Sequence, residues 1–258
     1  MSDQALTSLA LRASRAFARY VPTQPRLALS HQPVVSFTFD DVPESAYLQG
    51  ARLLDEYGLR GTFYIAPGIC GTSDAHWRVI SRDQVADLSR RGHEIGCHTY
   101  AHVPVQSLST AALADDNRRC CEALRQICGD IPLKSFAFPF GNAGFVSKCL
   151  MQVNYQTCRG IRVGINRGLV DLAMLCVREL YDSCQKPVEI DAVLDGMMQR
   201  GGWLVFYTHD VADRPSSIGC SPGLLGHAIK AATSRGIACM TVAQAAAELS
   251  LVPRSITT

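Results

Sequence analysis

The stretch VVSFTFDD, Val34 to Asp41, joins an apolar run directly to two adjacent carboxylates. Its composition reads as a buried β-strand, yet a buried carboxylate is costly unless it is paired, protonated or bound to a cation. Neighbouring strand residues point to opposite faces, so only a bend brings Asp40 and Asp41 to one site. Taken alone, the pair reads equally well as a solvated turn, with Asp41 or Glu44 starting the next helix.

Around this stretch, strands and helices alternate. GTFYIAPG, HEIGCHT, SFAFPFG, YQTCRGI, GWLVFYTHD and IACMTV read as further strands. The helical segments between them include one begun by Ser81 and stopped by Gly92, and one begun near Ser109 or Thr110 and stopped by Gly129. Such alternation predicts a parallel β/α architecture in one domain. The expected layout is an N-terminal helix and lead-in over 1–33, a barrel over 34–250 and a tail over 251–258. The first segment reads as an amphipathic helix, with Leu6, Leu9, Ala10, Ala13 and Phe17 on one face and Arg12, Arg15 and Arg19 on another. It is expected to pack on the outside of the domain, with a weak membrane-surface contact as the sharper alternative.

The chain has 258 residues, 47% hydrophobic, with a net charge of +2. Its length suits a barrel-like α/β domain. No basic run points to nucleic acid, and no stretch is long and apolar enough to form a transmembrane segment. Eleven cysteines, an odd and scattered set, point to reduced thiols and a cytoplasmic location.

The chemically able residues gather at strand ends. Asp40 and Asp41 end the first strand, His98 ends HEIGC, Pro139 and Phe140 end SFAF, and His209 ends GWLVFYT. In a parallel barrel these ends share one rim, where active sites are built. His98 and His102 in HTYAH stand four apart, and on one helical turn they would face the same way. Two imidazoles and Asp41 would then make a three-ligand metal site, leaving Asp40 free to accept a proton.

FTFDD, HTYAH, FAFPFG and LVFYTHD, in this order and spacing, resemble the motifs of the polysaccharide deacetylase (NodB-homology, carbohydrate esterase 4) family. The resemblance implies a distorted, seven-stranded parallel (β/α) barrel. It implies a divalent ion, usually zinc, held by Asp41, His98 and His102, with Asp40 as general base. It further implies a backbone N–H near Phe140, beside Pro139, that stabilises the oxyanion, and His209 as the acid for the leaving amine. The expected reaction is hydrolysis of an N-acyl group, acetyl or formyl, from an amino sugar.

The chain also departs from the family. Ala137 stands where many members carry an Arg that pairs with the base, and Arg159, at the end of YQTCR, is the candidate replacement. Val42 stands where many members have Gly. The fourth motif, an Asp followed by an aromatic, has no clean match, although Asp171 and Asp182 lie in the right stretch. With a cytoplasmic home, the expected substrate is a glycan precursor, nucleotide-linked or lipid-linked, for lipopolysaccharide or exopolysaccharide assembly. The alternatives are a catalytically silent carbohydrate- or partner-binding barrel, an O-acyl esterase and a cyclic-amide hydrolase.

Overall fold

The computed structural model describes residues 3–28, 31–73, 76–249 and 251–253, with side chains outside 3–9 and 251–253. Seven parallel strands close a barrel: β2 (Pro33–Asp40), β3 (Thr62–Ile65), β4 (Glu94–Cys97), β5 (Ser135–Ala137), β6 (Thr157–Val163), β8 (Leu175–Glu179) and β9 (Gly202–Thr208). Closure comes from β2, which pairs with β3 at Thr38–Asp40 and with β9 along its length from Pro33 to Phe39. A short strand β10 (Ala238–Cys239) pairs with Val34 and Val35 at the foot of β2. Outside the barrel, β1 (Pro25–Ala28) lies between β7 (Leu169–Asp171) and β11 (Leu251–Pro253) in a small antiparallel sheet. Residues read as lead-in and tail are thus partly joined in one structure.

The expected barrel forms, but its strand membership differs from the sequence reading. The segment at Ala238–Cys239 pairs only with the foot of β2, and the seventh barrel strand is Leu175–Glu179. That strand lies just beyond Leu169–Asp171, a short strand that pairs with β1 outside the barrel.

Both faces of the barrel strands are buried, which explains the unbroken apolar run in VVSFTF. Val34 faces the barrel interior with Trp203, Val205 and Tyr207. Val35, Phe37 and Phe39 face the surrounding helices, packing with Leu54, Leu225 and Ile229. Phe39 stacks on Phe63 of the next strand with ring centres 4.6 Å apart. Inside the barrel, Tyr64 fits because β4 carries Gly96 beside it; a Cβ there would lie 2.5 Å from the Tyr64 ring.

Among the described residues, eight α-helices surround the barrel: α1 (Asp3–Tyr20), α2 (Arg52–Glu56), α3 (Arg82–Arg90), α4 (Thr110–Cys128), α5 (Phe145–Met151), α6 (Pro187–Arg200), α7 (Pro222–Ser234) and α8 (Val242–Glu248). Ser81 and Gln84 form a reciprocal capping box on α3, and Ser109 caps α4. The segment before α2, Ala46–Ala51, is wound as a π-helix.

Helix α1 packs on the domain mainly beside its apolar stripe, of which Phe17 meets Phe145 edge-on with ring centres 6.3 Å apart. It docks through Ser14, whose Oγ accepts from Phe145 N at 2.9 Å, and through fully buried Ala18. Ala10 and Ala13 are exposed, and Phe17 is 57% exposed. The side chains of Leu6 and Leu9 lie outside the described residues. What fastens the helix end is polar. Lys148 on α5 is fully buried and donates to the carbonyls of Ala18 (2.9 Å) and Val21 (2.7 Å) and to Asp171 (2.5 Å).

Lys148→Met is therefore expected to leave Asp171 as a buried charge without its cation. Breaking such a pair costs about 3–5 kcal/mol. In a domain this size, that lowers the melting temperature by on the order of 10 °C. Calorimetry checks it, and a shift below about 2 °C would show that this cluster does not secure the fold.

Candidate active site

The cleft lies at the C-terminal ends of the barrel strands. It has a volume of about 610 Å³, and its lining includes Asp40, Asp41, His98, His102, Phe140 and His209. These six come from four strand ends, those of β2, β4, β5 and β9, or from the loops that follow them, as the strand-end reading expects.

The question of the paired carboxylates is answered by the backbone. Asp41 has φ +55° and Val42 φ +45°, both left-handed, and Val42 N donates to Asp40 O at 2.5 Å. The chain turns tightly about Asp41, and both carboxylates enter the cleft instead of alternating. For a β-branched residue such as Val42, this backbone is an outlier that the surrounding packing must hold. The other non-Gly residues with positive φ among those described are Thr99, His102 and Phe140. All five lie on the loops that form this site.

His98 and His102 do not share a helical turn; this corrects the sequence reading. They belong to a loop after β4, with φ +62° at Thr99 and +50° at His102. Asp116 on α4, which sequence reading missed, holds the loop by accepting from Tyr100 N (2.6 Å) and Ala101 N (3.1 Å). The two Nε2 atoms reach Asp41 Oδ1 at 3.2 Å (His98) and 2.7 Å (His102).

Three donor atoms, one from each of Asp41, His98 and His102, lie within 4.8 Å of one another. His98 Nδ1 is 2.8 Å from the Ala137 carbonyl, so it carries the proton and leaves Nε2 with its lone pair toward the cluster. Asp41 Oδ1 is buried without a well-aligned hydrogen-bond donor. A cradle of converging lone pairs with an orphaned carboxylate oxygen fits a divalent cation. Burial works against ionising Asp41, but the imidazoles of His102 and His98 outweigh it and hold the carboxyl well below its usual range. Burial likewise works against charging His98, yet Asp41 and Asp40 raise its pKa. The electrostatic pull that draws a proton to His98 would draw a metal cation as well.

Asp40 has a separate partner. The Arg159 guanidinium, 1% exposed, pairs with Asp40 and lies between the rings of Tyr64 (4.7 Å) and Tyr207 (5.2 Å). Its position follows from strand register, because Arg159 on β6 is the direct neighbour of Ala137 on β5. An Arg at either place can reach the same point in the barrel. Burial alone would favour discharging Arg159, but Asp40 opposes this and raises its pKa.

Phe140, at φ +57°, projects its half-exposed ring over His102 with ring centres 4.7 Å apart. Pro139 beneath it is buried. The turn is tight enough to need Gly141, at φ +62°, where a Cβ would meet Ile161 at 2.4 Å.

His209 Nε2 faces the cleft 3.9 Å from Asp41 Oδ2, while Nδ1 is 3.1 Å from the Ile218 carbonyl. Trp77 and Tyr181 flank its ring. Tyr207, whose hydroxyl pKa burial pushes up to about 12, lines the same wall as a neutral group. Trp77 and Tyr181 carried no motif signal, since only the closed barrel brings them here. The fourth-motif candidates sit elsewhere: Asp171 pairs with Lys148, and Asp182 accepts from Ser221 at the start of α7.

The comparisons agree with this geometry. Residues 29–156 match the family model described as "Polysaccharide deacetylase". A chitin deacetylase of Colletotrichum lindemuthianum is 32% identical over 119 residues, covering 44% of this chain and 45% of that protein. A chitin deacetylase of Arthroderma benhamiae is 29% identical over 126 residues, covering 47% and 32%. The chain thus spans less than half the length of the curated relatives it matches.

Among solved structures, the Colletotrichum chitin deacetylase superposes with a TM-score of 0.60 at 21% identity, covering 83% of this chain and 87% of that one. A protein from Mycobacterium smegmatis, described as a polysaccharide deacetylase, gives 0.60 at 20%, covering 92% and 98%. At these identities the superpositions establish the fold. The sequence match, which spans the Asp pair and the His pair, places residues 29–156 in the polysaccharide deacetylase family.

Proposed function

We propose that the chain is a metal-dependent hydrolase that removes an N-acyl group, acetyl or formyl, from an amino sugar. The observation that carries the reading is the juxtaposition of the Asp41–His98–His102 cluster with the Asp40–Arg159 pair in one cleft. A divalent cation held by Asp41, His98 and His102, with zinc best suited to this donor set, would supply Lewis acidity toward water and the acyl carbonyl.

The remaining roles belong to the protein's own groups. Asp40 takes a proton from the attacking water. Arg159 pairs with Asp40 and fixes its orientation. A backbone N–H near Phe140, above Pro139, donates to the oxygen that gains charge. His209 delivers a proton to the amine nitrogen as the C–N bond breaks. The aromatic walls formed by Trp77, Tyr181 and Tyr207 suit the apolar faces of a sugar ring.

The substrate in this reading is an N-acylated sugar or glycan precursor, nucleotide- or lipid-linked, met in the cytoplasm. The eleven free thiols fit a reducing compartment. No described helix is long and apolar enough to cross a membrane. Lipopolysaccharide and exopolysaccharide assembly supply substrates of this chemistry.

The test compares wild type with His209→Ala on a panel of N-acyl amino sugars and on an activated phenyl ester, with metal content measured alongside. An amine leaves poorly without a proton, whereas a phenolate needs it less. His209→Ala is expected to lower amide hydrolysis by about 10²- to 10⁴-fold and ester hydrolysis much less. Equal losses would remove the acid role. Failure of the wild type to release acid from any N-acyl sugar would overturn the function.

A further inference from the structure

Helix α1 turns an apolar stripe to solvent. Ala10, Ala13, Phe17 and Tyr20 follow helical spacing and are all exposed, Phe17 at 57% and Tyr20 at 69%. Its docking face lies beside this stripe and includes Ser14 and Ala18, and Phe17 itself touches the domain only edge-on at Phe145, with ring centres 6.3 Å apart. Much of the apolar stripe is thus left outside the core that usually covers it. A third stripe, Arg12, Arg15 and Arg19, flanks the apolar one and is exposed throughout. Arg15 bonds to Gln106, and no carboxylate among the described residues pairs with any of the three.

An aromatic stripe beside a row of arginines is the pattern of a helix lying in the plane of an anionic lipid surface. The rings enter the headgroup boundary while the guanidinium groups meet the lipid phosphates. The attachment of α1 also has a direction. Ser14 bonds Phe145, the first residue of α5, and Arg15 bonds Gln106, four residues after His102. Both partners follow turns that carry cleft residues, so the helix is fixed at the strand-end side of the barrel.

We propose that α1 docks the protein on an anionic phospholipid surface, with the mouth of the cleft held beside that surface. This rests on the exposed stripes of α1 and not on the hydrolase reading.

The experiment is sedimentation of the full chain with phosphatidylcholine vesicles, with and without phosphatidylglycerol, at low and high salt. Binding is expected only with phosphatidylglycerol and is expected to weaken with salt. Arg12→Gln with Arg19→Gln should lower the affinity by about tenfold or more. Phe17→Ser with Tyr20→Ser should lower it comparably, with thermal unfolding little changed because both rings are largely exposed and Phe17 meets Phe145 only edge-on. Both variants should keep their metal content. No binding to phosphatidylglycerol vesicles overturns the proposal, as does binding that the Phe17 and Tyr20 changes leave intact. Light scattering that shows a dimer, dispersed by the same changes, would assign the stripe to a second copy of the chain instead.

Discussion

His98→Ala and His102→Ala are each expected to lose most of the bound divalent ion and, with it, hydrolysis by on the order of 10³-fold or more. Each substitution removes one of only three protein donors, all within 4.8 Å of one another. With two left, the ion's coordination is no longer satisfied by the protein. Elemental analysis of purified protein should find about one ion per chain in wild type and little in either variant. Chelation of the wild type should abolish activity, and re-addition of zinc should restore it. The chelated variants should not recover at the same zinc concentration. The fold should survive, because both imidazoles lie at the cleft and outside the apolar clusters that pack the barrel. Full occupancy in both variants would show that the cluster is not the metal site.

Asp40→Asn is expected to behave differently: the ion stays and activity falls by about 10²- to 10⁴-fold. The amide keeps the shape of the carboxylate but cannot accept a proton from water. Its partner offers a second arm. Arg159→Met leaves Asp40 buried without the cation that pairs with and orients it. If Arg159 acts through Asp40, adding Asp40→Asn to Arg159→Met should cost far less than Asp40→Asn alone. Moving the guanidinium back across the register, with Ala137→Arg in the Arg159→Met background, should recover part of the loss, since the two positions are strand neighbours. Equal loss of metal and activity in Asp40→Asn would make Asp40 a ligand. Full additivity with Arg159→Met would make the arginine a packing residue only.

The sequence by itself carried the alternation of strands and helices, the burial of both faces of the first barrel strand, and the gathering of Asp40, Asp41, His98, Phe140 and His209 at strand ends. These are local properties: side-chain period, apolar runs, caps such as Ser81, and the rule that parallel strand ends share a rim. Tertiary structure alone decided the rest, because each remaining feature depends on what the chain meets across space. The bend at Asp41 and Val42 is held against their backbone preference by the packing around it. The two histidines converge from a loop that Asp116, on a different helix, ties in place. Closure through Leu175–Glu179 follows from a pairing with Gly202–Thr208, and no local pattern announces it. Arg159 reaches Asp40 from 119 residues away because β5 and β6 set it beside Ala137, a matter of register between strands. Helix α1 was legible as amphipathic, but which of its faces meets the domain was settled by Lys148, whose buried ammonium grips the carbonyls at the helix's end.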